Sequence, residues 1–207
     1  MSISYPRTLP PVPIKSSRFG LNLNQAVFEA GLSRKVIIQN HAAGLTDRWE
    51  GVFTTAELHP DQIAEFSAWL ISLKGREKSF YAFDPDRRIA KGNVVSLSST
   101  PLVNGAGQIG NTIISDGWLP SQQNLLLPGD YIQIGTGFHM ILEPVNSDVS
   151  GAATLNFEPV LKSKPADNSA IIFENPVFVA RLGAVVDGWE TGANKTGVIS
   201  FSWEQVI

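Results

Sequence analysis

The chain contains no cysteine, only three histidines, little charge and no long apolar run. Without cysteine there is no disulfide, no thiol nucleophile and no thiolate zinc site. That usage suits synthesis in a reducing cytoplasm. The histidines are His41, His59 and His139; none stands at metal-ligand spacing from another, and no HExxH occurs. Charged residues make up 17% of the chain, below the usual share, which hints at surface buried in an assembly. The net charge of −3 gives no basic footprint for nucleic acid. The apolar stretches VIIQ and NLLLP fall far short of a membrane span. The opening MSISYPRTLPPVP lacks a charged region followed by an apolar run, so no secretory leader is expected.

Glycine is plentiful, at 18 residues, and one cluster matches a known fingerprint. GAGQIG, Gly105 to Gly110, has the G-x-G-x-x-G spacing of dinucleotide sites. Such a site needs a helix starting near the third glycine, so that its N–H groups face the pyrophosphate. Here Thr112, Ile113 and Ile114 favour a strand, and Gly117 and Pro120 then break the chain. The sequence therefore predicts a glycine turn before a strand rather than a nucleotide site.

With 207 residues the chain can form one large domain or two small ones. Residues 1–16, including TLPPVP, read as an extended arm without ladder donors at Pro10, Pro11 and Pro13. Such an arm either frays or lies on a neighbouring subunit. From Ser17 to Phe83 the expected order is three strands, a helix and a strand. RKVIIQ is β-rich, and in DRWEGVFT Trp49, Gly51 and Phe53 share one face, with Arg48, Glu50, Val52 and Thr54 on the other. The helix is expected over about 60–74. Pro60 suits its first position, Asp61 its first turn, and Leu58 and Ile63 form a staple. Ile63, Phe66, Leu70 and Leu73 make the apolar stripe, and Gly75 stops it.

Residues 93–174 lose the helical period. Short strands (NVVSLS, NTIIS, DYIQIG, FHMILEPV, ATLNFEPVL, AIIFEN) alternate with turns, the pattern of a small barrel or sandwich. The final GVISFSWEQV alternates again, with Ile199, Phe201 and Trp203 on one face, like DRWEGVF. It is expected to return to the first sheet. The expected class is therefore mainly β, a β-rich α+β fold. A sheet domain with one helix, residues 17–92 plus 175–207, is interrupted by a small inserted β-barrel or sandwich, residues 93–174. No fixed-period repeat appears.

Chemistry is hard to find. No G-x-S-x-G elbow occurs. Asp84 and Asp86 flank Pro85 and read first as turn formers, with Arg87 or Arg88 as local partners. Glu143 and Glu158 each precede a proline and are expected to be solvated at strand ends. A glycosidase needs two carboxylates placed together, and nothing singles out a pair. Each histidine reads as structural. No catalytic, cofactor-binding or metal-binding residue is nominated, and the protein is expected not to be an enzyme. Of five tryptophans, Trp49 and Trp203 alternate with core residues and belong inside. Trp118 and Trp189 fall in DGW segments read as turns. There they either anchor an interface, fold back on their own domain, or offer a sugar-stacking platform.

Several strings, in order, resemble one family. They are YPRTLPPVP, WEGVF, FYAFDPDRR, GQIGNTIISDGW, GDYIQIG, ILEPV and PADNSAIIFENPVFVARL, and they span most of the chain. Together they resemble the distal-tail or tail-tip (baseplate) proteins of long-tailed bacteriophages and prophages. The resemblance implies a structural virion protein, assembled in the host bacterial cytoplasm, without cofactor, metal or catalytic motif. It implies a homo-oligomeric, hexameric ring at the distal end of the tail. The ring's partners would be the tail tube protein, the baseplate hub and tail fibre or receptor-binding proteins, with no membrane and no sequence-specific nucleic acid. The loops Val103–Gly110 and Gly117–Gly129 are candidate ring contacts, because head-to-tail rings pack backbone closely. The alternative is a carbohydrate-binding module for receptor recognition, with Trp118 or Trp189 as platform.

Overall fold

A computed structural model describes residues 3–30, 35–40, 44–94, 100–191 and 195–207; for residues 16, 28–30, 35–37, 40 and 185–191 it describes the backbone alone. The protein is mainly β with one α-helix. In chain order the elements are β1 (Ile14–Asn22), β2 (Gln25–Ala30), β3 (Lys35–Asn40), β4 (Arg48–Thr55), α1 (Pro60–Ser72), β5 (Ser79–Ala82), β6 (Leu102–Val103), β7 (Gly110–Asp116), β8 (Tyr131–Ile134), β9 (Gly137–Ile141), β10 (Ala153–Leu161), β11 (Ile171–Ile172), β12 (Phe178–Thr191) and β13 (Gly197–Gln205). The chain divides into two compact units, one of residues 1–21, 48–86 and 177–206, the other essentially of residues 22–47 and 87–176.

The first unit is a five-stranded sheet in the order β1-β4-β13-β12-β5 with α1 against it. The two alternating segments are neighbours: Phe201 pairs with Phe53 and Trp203 with Gly51 in antiparallel register. Their inward residues Trp49, Phe53, Ile199, Phe201 and Trp203 are buried. Gly51 is required by that register. A Cβ there would lie 2.7 Å from the Trp203 indole and 1.9 Å from the Arg18 carbonyl.

α1 starts where the sequence places it. Its N-cap, His59, is extended, and the Gln62 side chain accepts from the His59 N–H at 3.0 Å. Leu58, Ile63, Phe66, Leu70 and Leu73 are all buried. The helix ends at Ser72, two residues short of the expected limit, because the backbone turns left-handed at Lys74 (φ 51°) as well as Gly75 (φ 65°). Phe66 and Trp69 meet Phe201 at ring-centroid distances of 5.7 and 6.0 Å, which joins helix to sheet.

The N-terminal segment is neither frayed nor unattached. Arg7 N–H donates to the Ser79 carbonyl (3.0 Å), and Tyr81 N–H donates to the Arg7 carbonyl (2.9 Å), so the segment extends the sheet beyond β5. The Tyr5 hydroxyl donates to the Ser72 carbonyl, and Trp69 Nε1 to the Thr8 carbonyl. The regular strand β1 already begins at Ile14.

The second unit holds a nearly closed barrel-like sheet in the order β11-β8-β9-β10-β7-β6. Its two ends meet where Leu102 bridges Ala170 and Ile171 N–H donates to the Pro101 carbonyl. β10 serves both halves, pairing with β7 through Ala153–Asn156 and with β9 through Phe157 and Glu158. Ala153, Leu155, Phe157, Pro159 and Leu161 alternate inward along it, the period of a strand with one buried face. The core is mostly aliphatic, with Ile113, Leu125, Leu126, Ile132, Ile141 and Leu155 fully buried. Of the expected strands, NVVSLS falls mostly on residues 95–99, outside the described residues.

The barrel segment leaves and returns through one clasp. Ile89 bridges Glu174, Asn175 N–H donates to the Arg88 carbonyl at 2.7 Å, and Arg88 Nε donates to Asn175 Oδ1 at 3.1 Å. The second unit also contains β2 and β3, which form a separate two-stranded ribbon. The sequence showed one strand fewer here, because QAVFEA carries alanine and acid where strands favour β-branched residues.

Candidate functional site

The GAGQIG loop links β6 to β7, and the element after it is a strand. Gly105, Gly107 and Gly110 all take positive φ (93°, 81° and 89°), the turn role of glycine. Gln108 closes the loop. Its side-chain NH₂ donates to the Asn104 and Ile114 carbonyls, and its Oε1 accepts from Ile114 N–H at 2.7 Å. A loop filled by its own glutamine and followed by a strand offers no helix N-terminus to a pyrophosphate.

The single candidates fall as follows. His41 lies outside the described residues. His59 caps α1. His139 is almost fully buried in the barrel. Its Nδ1 donates to the Pro159 carbonyl at 2.6 Å, and its ring lies 4.6 Å from that of Phe157. That bond fixes the proton on Nδ1. Nε2, facing Gly137, has no hydrogen-bond partner. Burial, chiefly, pushes the imidazole down to about 4; the Pro159 bond opposes this and the Lys162 charge adds to it.

Asp84 is buried and accepts from Asp86 N–H, which is the turn role read for it. Glu143 is exposed and accepts from Asn156 (2.9 Å), whereas half-buried Glu158 accepts from Asn111 (3.2 Å). Each carboxylate thus has an amide neighbour. Among the described residues no group of three or more His, Asp or Glu could hold a metal ion. No helix among them is long and apolar enough to cross a membrane.

Trp118 folds back into its barrel. It is 3% exposed, its Nε1 donates to Ser115 Oγ at 2.8 Å, and its ring lies 6.1 Å from Phe173. It has no free face for a sugar ring, so of the three readings open for it Trp118 takes the one that folds back on its own domain. Trp189 is not in a turn. It lies inside β12 opposite Ile199, because pairing with β13 overrides the local turn signal of Asp187 and Gly188. The loop Gly117–Gly129 is pinned inward by Leu125 and Leu126, whose main chains bond to that of Val145.

The most concentrated chemistry lies where no local pattern pointed. On the outward face of the first unit's sheet, Glu204 of β13 stands directly opposite Arg181 of β12 and Glu50 of β4. Glu204 is buried, and three arginines converge on it. Arg48 Nη1 lies 3.1 Å from Oε2, Arg181 Nε lies 2.9 Å from Oε1, and Arg76 Nη2 also donates to Oε1. Burial alone would raise the Glu204 pKa, but the hydrogen bonds from Arg76 and Arg181 and the charge of Arg48 hold it below the usual range. Beside this cluster is a cleft of about 440 Å³, lined among others by Arg18, Gly20, Glu50, Arg76, Gly183 and Glu204. Four of the chain's eight arginines therefore gather around two carboxylates. Arg18 forms no ion pair among the described residues. The arrangement is a preset cationic surface around two carboxylates.

A second solvent-open cleft, in the barrel unit, is lined by Ile114, Glu143, Asn146, Asp148 and Asn156. Asp148 is occupied locally: its Oδ1 accepts from Ser150 N–H, Ser150 Oγ and Ala152 N–H. No protein-family model matches the chain, and no curated protein matches it.

Proposed function

We propose that the protein is a structural subunit of a ring assembly of the phage distal-tail class, joining a tail tube to hub and receptor-binding proteins. The observation that carries the reading is the β2–β3 ribbon. Val27 and Ile38 stand directly opposite each other on it and are 61% and 60% exposed. Leu23 and Leu45, on its flanks, are 50% and 44% exposed. A two-stranded ribbon is marginal by itself in water. An apolar pair on its surface gains most when a neighbouring subunit covers it. Low overall charge supports the same reading. So does the resemblance of the ordered motifs, which is the source of the tail assignment itself.

The test is the mass of the purified protein across a range of concentration, with and without a tail tube protein, followed by particle imaging. The reading expects a closed ring, and expects Val27→Asp with Ile38→Asp to return it to monomer without unfolding. A chain that stays monomeric under both conditions ends the proposal.

A further inference from the structure

The face around Glu204 has a sign. In the cleft itself Arg18 and Arg76 balance Glu50 and Glu204, and Arg48 and Arg181 beside it bring the local charge of the face to +2 on a chain whose net charge is −3. The cations are held in place before any ligand arrives, since Glu204 orients three of them. Arg76 nevertheless keeps 53% of its side chain exposed. Arg18 is exposed and lines the cleft with no ion pair among the described residues. Gly20 and Gly183 put no side chain into the space. β1, which carries Arg18 and Gly20, ends the strand order of its sheet. An edge strand offers main-chain N–H and C=O groups to an extended segment.

We propose that this outer face is a carboxylate-binding surface that takes an acidic segment of a partner polypeptide, with Arg18 and Arg76 meeting its carboxylates. Guanidinium forks match the planar, two-oxygen geometry of a carboxylate. Glu50 and Glu204 in the floor, and the net negative charge of the chain, repel a polyphosphate backbone, which needs many uncompensated cations. One or two carboxylates on an extended chain fit the surplus of two positive charges. The assignment stands independently of the tail reading, since any acidic protein partner would satisfy it.

The experiment titrates the full chain with capped hexaglutamate, capped hexaglutamine, inorganic phosphate and a short DNA duplex. It follows the arginine Nε–Hε resonances. Hexaglutamate is expected to move Arg18 and Arg76, to bind more weakly as salt is raised, and to outcompete the other three. Arg18→Gln with Arg76→Gln is expected to weaken it about 10-fold or more, the size of one lost charged hydrogen bond. Arg76 also touches Glu204, so Arg18→Gln alone, which breaks no ion pair among the described residues, is the control against misfolding, and it too must weaken binding. Unchanged affinity in either variant overturns the proposal, as does the lack of any shift up to about 1 mM peptide, where the binding energy would be only about 4 kcal/mol. Phosphate or DNA binding as tightly as hexaglutamate at these arginines also overturns it, in favour of a phosphate surface.

Discussion

Rings fill the core of the first unit, and branched aliphatic chains fill the barrel. Phe201 alone lies within ring contact of Phe53, Phe66, Trp69 and Phe80, and Trp203 within contact of Phe19, Phe53 and Phe178. The barrel instead closes its sheet over Ile, Leu and Val, with Trp118 and Phe157 as its large members. The difference follows from cover. A barrel's strands enclose their own inner face, and short branched side chains fill it. An open five-stranded sheet with one helix leaves more space to span, and tilted or edge-on rings span it. The same openness leaves the sheet's other face to charge, which is where the arginines gather.

The comparison breaks first at Phe201. Phe201→Ala is expected to destabilise the first unit by about 4 kcal/mol. Hydrogen exchange should then speed at β13 amides while those of Leu155 and Ile141 stay protected. Equal acceleration in both units would show a single cooperative core instead of two. Next comes Gly51→Val, expected to cost roughly 3 kcal/mol through overpacking against Trp203 and the Arg18 carbonyl. Chemical denaturation followed by tryptophan fluorescence reads it, and a wild-type midpoint would mean that β1 and β4 can part freely.

Acid sharpens the contrast. The His139 pKa is about 4 in the folded barrel against 6.5 when free, so its neutral form favours folding. That stability is complete above pH 6.5 and is lost as pH falls towards 4, by about 3 kcal/mol in all. The barrel should therefore weaken first, before the pH reaches the range where Glu204 is protonated. His139→Leu should flatten the barrel's stability between these pH values. An unchanged slope would move the acid sensitivity elsewhere. The smallest effect is Ser115→Ala, which removes the hydrogen bond that Trp118 Nε1 donates, at about 1 kcal/mol. A thermal shift of the barrel measures it, and no shift would mean that packing alone holds the indole.

Much of this architecture was legible where the signal is local. The helix could be read because Pro60, Ile63, Phe66, Leu70 and Leu73 carry its start and its buried stripe within one segment. β4 and β13 could be matched because their alternation is the shared pattern of strands with one buried face. Trp189 misled because DGW is a turn signal only until a partner strand pairs it. The arginine cluster was illegible for a different reason. Arg48, Arg76, Arg181 and Glu204 come from four separate segments, and only the register of β13 against β12 and β4, with the turn after α1, brings them together. No spacing rule reaches across such distances.

The clasp at Ile89 and Glu174 has a consequence for how such a chain can evolve and be engineered. A segment whose first and last residues are already bridged presents two adjacent ends, whatever its length. The strands on either side of it, β5 and β12, are themselves antiparallel partners, with Ala82 opposite Phe178. A short hairpin turn would join them just as well. The ladder between β5 and β12 thus closes across whatever lies between Asp86 and Val177, while β2 and β3 join the barrel's unit from a separate excursion of the chain.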